Sequence, residues 1–434
     1  MTTPCQLLHG DCLDLLKAMA PSSVDALITD PPAGIGFMNQ NWDKDKGGPE
    51  QWRAWLADVM TEARRTMKPG AHGLVWSLPK TSHWTAMALE AAGFEIRDCV
   101  YHVFGSGFPK NHNIPLAIDK HLGVEPEIAG MKKQTGPKMK LAQIIIDNGG
   151  INDPNRTEYP VTAAASDEAK AWQGWGTALK PAVECWWLVR KPLENSEGKP
   201  GTIAENVLHH GTGGINLDDC RVGDEEMGES VWGVSRIGTF EGAVGNITPE
   251  RTGRWPAHLI LTHSEACGLY CADDCPSRGM GDEARFFKTF PFEFELELKQ
   301  KIYYCPKPSV SEKDAGLDDF APMQMNDGRD TSIDNAYQRG DTMRKNSHPT
   351  VKSQALMTYM ITLITPKGGT VLDPFMGSGS TGVAAVSKKF GFVGIEQMPV
   401  EKEDPDFIAI ARARVAHAAA PKAQKSLFDV EASA

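Results

Sequence analysis

Val24-Asp25-Ala26-Leu27-Ile28-Thr29-Asp30-Pro31-Pro32-Ala33-Gly34-Ile35-Gly36-Phe37 is the stretch that decides the fold. Its apolar start, Val24 to Ile28, reads as a buried strand. Pro31 and Pro32 remove two backbone donors and fix two φ angles, so the strand must stop at Asp30. Gly34 and Gly36 then let a ligand approach the backbone closely. A carboxylate is thereby placed at the carboxyl end of a strand, where open α/β sheets bind their ligands. The carbonyls of Pro31 and Pro32 add acceptors beside it, and an acceptor-only pocket suits an exocyclic amino group. Taken alone, the tetrapeptide reads first as an ordinary strand-ending Asp-Pro turn.

A second stretch changes that balance. Thr370-Val371-Leu372-Asp373-Pro374-Phe375-Met376-Gly377-Ser378-Gly379-Ser380-Thr381-Gly382 reads as a strand, a Gly-rich turn and a helix start through Ala384, Ala385 and Val386. About 20 residues on, Phe392-Val393-Gly394-Ile395-Glu396 ends another strand in an acid, the spacing at which a carboxylate reaches ribose hydroxyls. Gly377-x-Gly379-x-x-Gly382 has the Gly-x-Gly-x-x-Gly spacing, weak evidence by itself, and a Gly-Lys-Ser/Thr phosphate loop is absent, which favours a nucleoside ligand over a triphosphate.

At these residues the chain resembles the amino-methylating (adenine N6 and cytosine N4), site-specific DNA methyltransferases of phages and bacteria. Asp30–Ala33 is similar to their catalytic Asp-Pro-Pro-aromatic motif, and Phe375-x-Gly377-x-Gly379 to their S-adenosylmethionine (SAM) motif. The order, catalytic motif first, is that of the permuted β group. His9-Gly10-Asp11-Cys12 and His348-Pro349-Thr350-Val351-Lys352 agree with it. The resemblance covers about 1–110, 172–215 and 346–414. It implies an α/β fold, a doubly wound, mostly parallel, Rossmann-like sheet, circularly permuted and carrying an irregular target-recognition region.

The resemblance also implies roles. Asp30 and the Pro31 carbonyl accept the two hydrogens of the target amine, with Pro32 completing the catalytic turn. Asp11, also an N-cap by its local chemistry, accepts from the adenine amino group of SAM, with Cys12 beside it. Phe375, Gly377 and Gly379 pack along SAM in a turn shared with Asp373, Ser378, Ser380 and Thr381. Glu396 takes the ribose, and Thr350 and Lys352 border the methionine end. The partner implied is duplex DNA with the target base flipped out, and a second copy of the chain is left open. Adenine is favoured because Asp, rather than Ser, precedes the prolines. Cytosine at its 4-amino group is the alternative, RNA is less favoured, and a non-catalytic SAM- or DNA-binding protein is the reading from another class. One residue departs from the family: Ala33 stands where the motif has an aromatic that stacks on the flipped base, a contact of about 1–3 kcal/mol. Phe37 and Trp42 are the rings nearest in sequence that can replace it.

With 434 residues the chain has room for two to three domains at about 150 residues each. The expected division is 1–110 catalytic half, 111–171 basic inserted loop region, 172–215 return to the sheet, 216–345 target-recognition region, 346–414 SAM-binding half and 415–434 flexible tail. Apolar content of 41% and charged content of 23% describe an ordinary globular protein. No run of about 18 apolar residues exists and the first residues lack a signal peptide's apolar core, so no membrane association and a cytoplasmic location are expected. A net charge of −11 opposes a generic nucleic-acid coat. DNA contacts are therefore expected from local basic strips, with Lys132, Lys133, Lys138 and Lys140 in one and Arg329, Arg339, Arg344 and Lys345 in another.

Between the motifs, residues 51–67 have a helical apolar face, ended by Lys68-Pro69-Gly70. Residues 105–175 break the strand–helix rhythm, Asn206 to Ile215 reads as a His/Gly-rich loop, and 216–345 carries no βαβ rhythm but short strands such as His258-Leu259-Ile260-Leu261. Phe290 to Leu298 alternates as a half-buried strand. The nine cysteines do not suggest a disulfide framework. His263, Cys267, Cys271 and Cys275 recur every four residues, as on one helical face where tetrahedral ligands converge poorly, so thiols holding no metal are favoured over zinc. At the end, Gln424-Lys425-Ser426-Leu427-Phe428 resembles the pentapeptide by which bacterial DNA enzymes dock on the sliding clamp. Leu427 and Phe428 would be the anchors and Gln424 the register-fixing amide; a disordered terminus is the alternative.

Overall fold

The computed structural model describes residues 5–37, 41–104, 111–133, 158–232, 246–248, 250–263, 271, 275–290, 308, 310–324, 343–397 and 406–420. The chain forms two units, one of Met1–Gly105, Val183–Met323 and Met343–Ala434, the other of Ser106–Ala182 and Gln324–Thr342. The first begins with β1 (Cys5–His9), α1 (Cys12–Ala18), β2 (Val24–Thr29), α2 (Pro49–Thr66), β3 (Met67–Ser77), α3 (Ser82–Ala91) and β4 (Glu95–Val103). Asp11 caps α1 by accepting from the amides of Leu13 and Asp14, and β2 stops where the prolines require.

The second unit holds α4 (Ile114–Leu122), the antiparallel pair β5 (Glu127–Lys133) and β6 (Glu158–Ala163), and α5 (Asp167–Lys170). The segment that breaks rhythm therefore contains a helix. Asn113 caps it, Pro115 lies in its first turn and Gly123 closes it in the left-handed region, signals that were present in the sequence.

The first unit resumes with β7 (Val183–Arg190), α6 (Ile203–His210), β8 (Val222–Met227), β9 (Ser230–Trp232), β10 (Asn246–Thr248), β11 (Arg251–Arg254), β12 (Leu259–Thr262), α7 (Pro276–Gly279), β13 (Lys288–Phe290) and α8 (Val310–Asp314). After β14 (Met323–Gln324) and β15 (Met343–Arg344) come α9 (Gln354–Ile364), β16 (Thr370–Asp373), α10 (Ser380–Ser387), β17 (Gly391–Glu396) and α11 (Phe407–Ala419). Nine strands make one sheet in the order β1-β17-β16-β2-β3-β7-β4-β12-β13. All neighbours are parallel except β7, which runs antiparallel to β3 and β4.

Alternate side chains of each central strand feed two cores, as a sheet covered on both faces requires. Ala26, Ile28, Leu74, Trp186 and Val371 face the core shared with α9, α10 and α11. Leu27, Val75, Val189 and Leu372 face the core shared with α1, α2 and α3. The fold is thus α/β, doubly wound and mostly parallel. The last strands of the chain, β16 and β17, lie between its first two, β1 and β2, which is the permuted order read from the motifs.

Several expectations change. α2 ends at Thr66, and β3 begins at once and runs through Lys68-Pro69-Gly70. The pairing with β2 shifts register there, between Val24 and Ala26, and a bulge tolerates proline. Asn206–His210 is helical, not loop: Thr202 and Glu205 form a capping box and Gly211 ends the helix at φ +73°. Asn206 is fully buried on α6 and accepts from the Glu194 amide at 2.9 Å. It donates to the carbonyls of Pro69 and Thr212 at 3.0 and 2.8 Å. A Cβ at Gly70, whose φ is +75°, would run into that side chain. Within 216–345, the short strand read at His258–Leu261 is β12, and with β13, whose three residues are too few to show a period, it extends the central sheet beside β4. Of the expected Phe290–Leu298 strand, only Phe290 is described. His263 directly follows β12 and Cys275 precedes α7 in extended conformation, so these two ligands do not share a helical face. Among the described residues no helix is long and apolar enough to cross a membrane.

Candidate active site

β2 and β16 are neighbours in the middle of the sheet, and their connections wind away in opposite directions. The crevice at their carboxyl ends is the switch point where such sheets take ligands. Here Thr29 at the end of β2 donates to Asp373 Oδ1 at the end of β16, 2.7 Å away. Asp373 Oδ1 also accepts from the Phe375 amide at 3.1 Å, and Oδ2 from the Thr381 hydroxyl at 2.6 Å. Both oxygens of Asp373 are therefore taken by the turn itself. Burial pushes its carboxyl up to about 6, against those donors.

A cavity of about 360 Å³ opens over this crevice. Of the cofactor residues expected from sequence, Asp11, Cys12, Asp30, Thr350, Lys352, Asp373, Phe375, Gly377, Ser378, Ser380, Thr381 and Glu396 line it. Gly379 does not; at φ +82° it begins α10, and a Cβ there would press on Ala411. Gly377, at φ +55°, leaves room for the His348 ring, whose Nε2 would be 2.7 Å from a Cβ. Its amide donates to Glu396 Oε2 at 2.6 Å. Burial is the main cause that lifts the Glu396 carboxyl to about 7. Burial likewise pushes the Cys12 thiol up to about 12.

Lys352 ion-pairs with Asp30, and its Nζ lies 4.6 Å above the Trp76 ring. Burial raises the Asp30 carboxyl and Lys352 opposes that rise. Pro32 reaches the cavity wall; Pro31 is buried outside the lining. The rest of the Asp-Pro-Pro turn is pinned by Asp43, whose carboxylate accepts from the amides of Gly34 at 3.0 Å and Phe37 at 2.7 Å. Its carbonyl accepts from Gly36 at 2.7 Å. Gly34, at φ +71°, also leaves no space for a Cβ, which would meet the Trp52 ring at 2.7 Å. The Ala33 carbonyl accepts from Thr81 at 3.1 Å. Trp42 lines the cavity and stacks on His348 with centroids 6.4 Å apart, whereas Phe37 is not among the lining residues.

Sequence reasoning missed several residues of this site. Lys46, Trp55, Met357, Gln397 and Phe407 complete the wall. Arg414 donates to the Ser378 carbonyl at 2.6 Å and Asn346 to its hydroxyl at 3.1 Å, holding the Gly-rich turn from α11 and from the approach to α9. No local pattern marks these residues, because each acts through a contact distant in sequence. His348 did sit in a quoted motif. Burial lowers its ring to about 3, so it is a neutral wall of the cavity.

None of the described DNA-contact candidates is among the residues that line the cavity. Lys132 and Lys133 belong to β5, Arg344 ends β15, and Lys345 donates to the Asp318 carbonyl at 3.1 Å. Lys138, Lys140, Arg329, Arg339, Cys267, Gln424, Leu427 and Phe428 lie outside the described residues.

A family model for N6/N4 methyltransferases, described as DNA methylase, matches residues 24–404, and the chain belongs to that family. It is similar to the type II methyltransferase M.BglI of Bacillus subtilis, 49% identical over 59 residues that make 13% of this chain and 17% of that protein. It is also similar to M.BamHI of Bacillus amyloliquefaciens, 26% identical over 159 residues, 31% and 37% of the two chains. The chain therefore spans 17% to 37% of the length of these relatives. Among solved structures it is similar to the M1.HpyAVI–SAM complex, at 15% identity over 95% and 98% of the chains and a TM-score of 0.36. The PvuII DNA methyltransferase, named cytosine-N4-specific, matches at 10% identity over 95% and 87%, with a TM-score of 0.41.

The raised Glu396 carboxyl has a pH signature. Its folded pKa, about 7, lies above the ordinary 4.5, so the folded state binds the proton more tightly. This group's contribution to stability is therefore lost as pH rises from about 4.5 to about 7. Glu396→Gln keeps an acceptor for the Gly377 amide and removes the buried charge. The variant is expected to be about 1–2 kcal/mol more stable than the parent at pH 8, a value reduced for the partial exposure of the group, and indistinguishable near pH 4.5. Urea unfolding of the ligand-free protein at both pH values checks this.

Proposed function

We propose that the protein is a site-specific DNA methyltransferase that moves a methyl group from SAM to the exocyclic amino group of a flipped-out adenine in duplex DNA. The observation that carries the reading is that Asp30 opens into the same cavity as Glu396 and the Gly-rich turn. The donor set fits SAM. Asp11 and Glu396 offer carboxylates to amino and hydroxyl groups, Phe375, Trp55 and Trp42 offer apolar faces, and Thr350 borders the opposite wall. When bound, SAM supplies an electrophilic methyl group on a sulfonium centre.

The chain's own residues do the rest. An exocyclic amine is a poor nucleophile because its lone pair is delocalised into the ring. Asp30 and a carbonyl of the Pro31-Pro32 turn, which reaches the cavity at Pro32, accept its two hydrogens and favour a tetrahedral nitrogen with its lone pair directed outward. Lys352 pairs with Asp30 until the amine replaces it as hydrogen-bond partner. The burial that raises the Asp30 carboxyl also suits it to take the proton the amine loses. Because Asp30 sits at a strand end inside a cavity, the base must leave the duplex to reach it. Adenine is favoured by Asp at the first motif position, and mapping modified bases in DNA from a methylation-free host expressing the protein distinguishes it from cytosine.

Asp30→Ala is expected to lower methylation at least 1,000-fold, about 4 kcal/mol in the transition state, while SAM affinity changes less than about threefold. Glu396→Ala should weaken SAM binding about tenfold or more before it affects chemistry. Calorimetry beside a methylation assay separates the two, and parallel loss of SAM binding and activity in Asp30→Ala would refute the assignment.

Trp42, on the cavity wall, is proposed as the ring that stands in for the aromatic missing at Ala33. Trp42→Ala should raise KM for DNA about tenfold or more, in line with the energy of one stacked base, and Phe37→Ala should do so far less. A harmless Trp42→Ala sinks this role. From sequence pattern, Gln424, Leu427 and Phe428 are proposed to dock on a bacterial sliding clamp. The peptide 419–434 should then bind a clamp with micromolar affinity, and lose it when Leu427 and Phe428 are both replaced by Ala.

A further inference from the structure

Outside the cavity, one cluster brings together side chains whose chemistry the methyl transfer does not use. His263 Nδ1 lies 3.2 Å from Cys275 Sγ and 3.3 Å from Cys271 Sγ, and the three atoms are all within 4.8 Å of one another. Cys275 is 2% exposed, and His263 and Cys271 are partly buried. A neutral imidazole nitrogen has one lone pair, or carries one hydrogen, so it cannot pair fully with two thiols at once. One nitrogen and two sulfurs within 4.8 Å of one another can converge on a single divalent ion. Zinc bonds of about 2.0–2.1 Å to nitrogen and 2.3 Å to sulfur place tetrahedral N and S ligands about 3.5 Å apart, close to the spacing here.

The surroundings hold these ligands in place. Thr262, the residue before His263, shares a 2.6 Å hydrogen bond with His102 Nε2, which anchors the end of β12 to β4. Arg278 on α7 donates to the Cys271 carbonyl at 3.1 Å. Cys275 is the residue on which α7 begins. Its sulfur therefore ties the start of α7 to the end of β12. That edge of the sheet is built from strands of only four and three residues, which have few ladder bonds of their own.

We propose that His263, Cys271 and Cys275 bind a structural zinc ion that staples β12 to α7 at the edge of the central sheet. The thiols bind as thiolates, releasing their protons to solvent, and no redox change is involved. With three protein ligands in place among the described residues, the site is of the nitrogen/sulfur type that zinc prefers, and it is separate from the cavity where methylation is placed.

The test uses the full-length protein and needs no methylation assay. Protein grown with zinc and freed of loose metal is expected to hold about one zinc per chain by mass spectrometry. The Cys271→Ser, Cys275→Ser variant should hold at least tenfold less. Should that variant fail to fold, alkylation of the parent decides. The peptides containing Cys271 and Cys275 should label at least tenfold faster after a strong chelator, and cobalt exchanged into the site should show thiolate charge-transfer absorption. No zinc in the parent, labelling indifferent to the chelator, or recovery of Cys271 and Cys275 as a disulfide would overturn the proposal.

Discussion

The hydrogen bond from the Thr29 hydroxyl to Asp373 joins residues 344 positions apart, and the site depends on it. Thr29 is wholly buried and Asp373 is 2% exposed, so neither group has water as an alternative partner. Removing one partner would leave a polar group unsatisfied in the centre of the sheet, at a cost of about 1–3 kcal/mol. The bond also aligns the carboxyl ends of β2 and β16. The Asp-Pro-Pro turn and the Gly-rich turn thereby open into one crevice, and Asp25 repeats the link at the other end of the same strand pair by accepting from the Thr370 amide at 2.8 Å.

Around that junction, charge is placed where it serves the site and screened where it does not. The Asp30, Asp373 and Glu396 carboxyls all line one cavity, and burial raises each of them. They are kept tolerable by different donors: Lys352 for Asp30, two hydroxyls and an amide for Asp373, and the backbone amides of Gly377 and Gln397 for Glu396. Asp373, with both oxygens engaged, has a scaffold role. Asp30 and Glu396 each retain accepting capacity toward the cavity. The same motif residues thus divide into those that shape the turn and those that face the cavity.

Much of this was legible locally. Paired prolines end a strand whatever surrounds them, so β2 and the position of Asp30 followed from sequence. The strand–Gly turn–helix of β16 and α10, and the acid ending β17, are equally short-range. A capping box at Thr202 and Glu205 marked α6, and an Asn cap with an early Pro marked α4; both signals were overlooked because Gly and His nearby read as loop. β12 was readable as a short apolar run, whereas β13 carried too few residues to show any period.

What the sequence by itself determined is the set of elements and the residue types at their ends, because strand termination, caps and turns are decided within a few residues. Only the tertiary structure decided which ends meet. The pairing of β16 with β2, the grip of Asp43 on the Asp-Pro-Pro turn and the hold of Arg414 on Ser378 are contacts between distant segments, and their cost or gain exists only once the sheet is assembled. The cluster of His263, Cys271 and Cys275 shows the same limit from the other side. A four-residue spacing pointed to a single helical face, yet the ligands come from a strand end and a helix start, and convergence in space is a property of the packed chain.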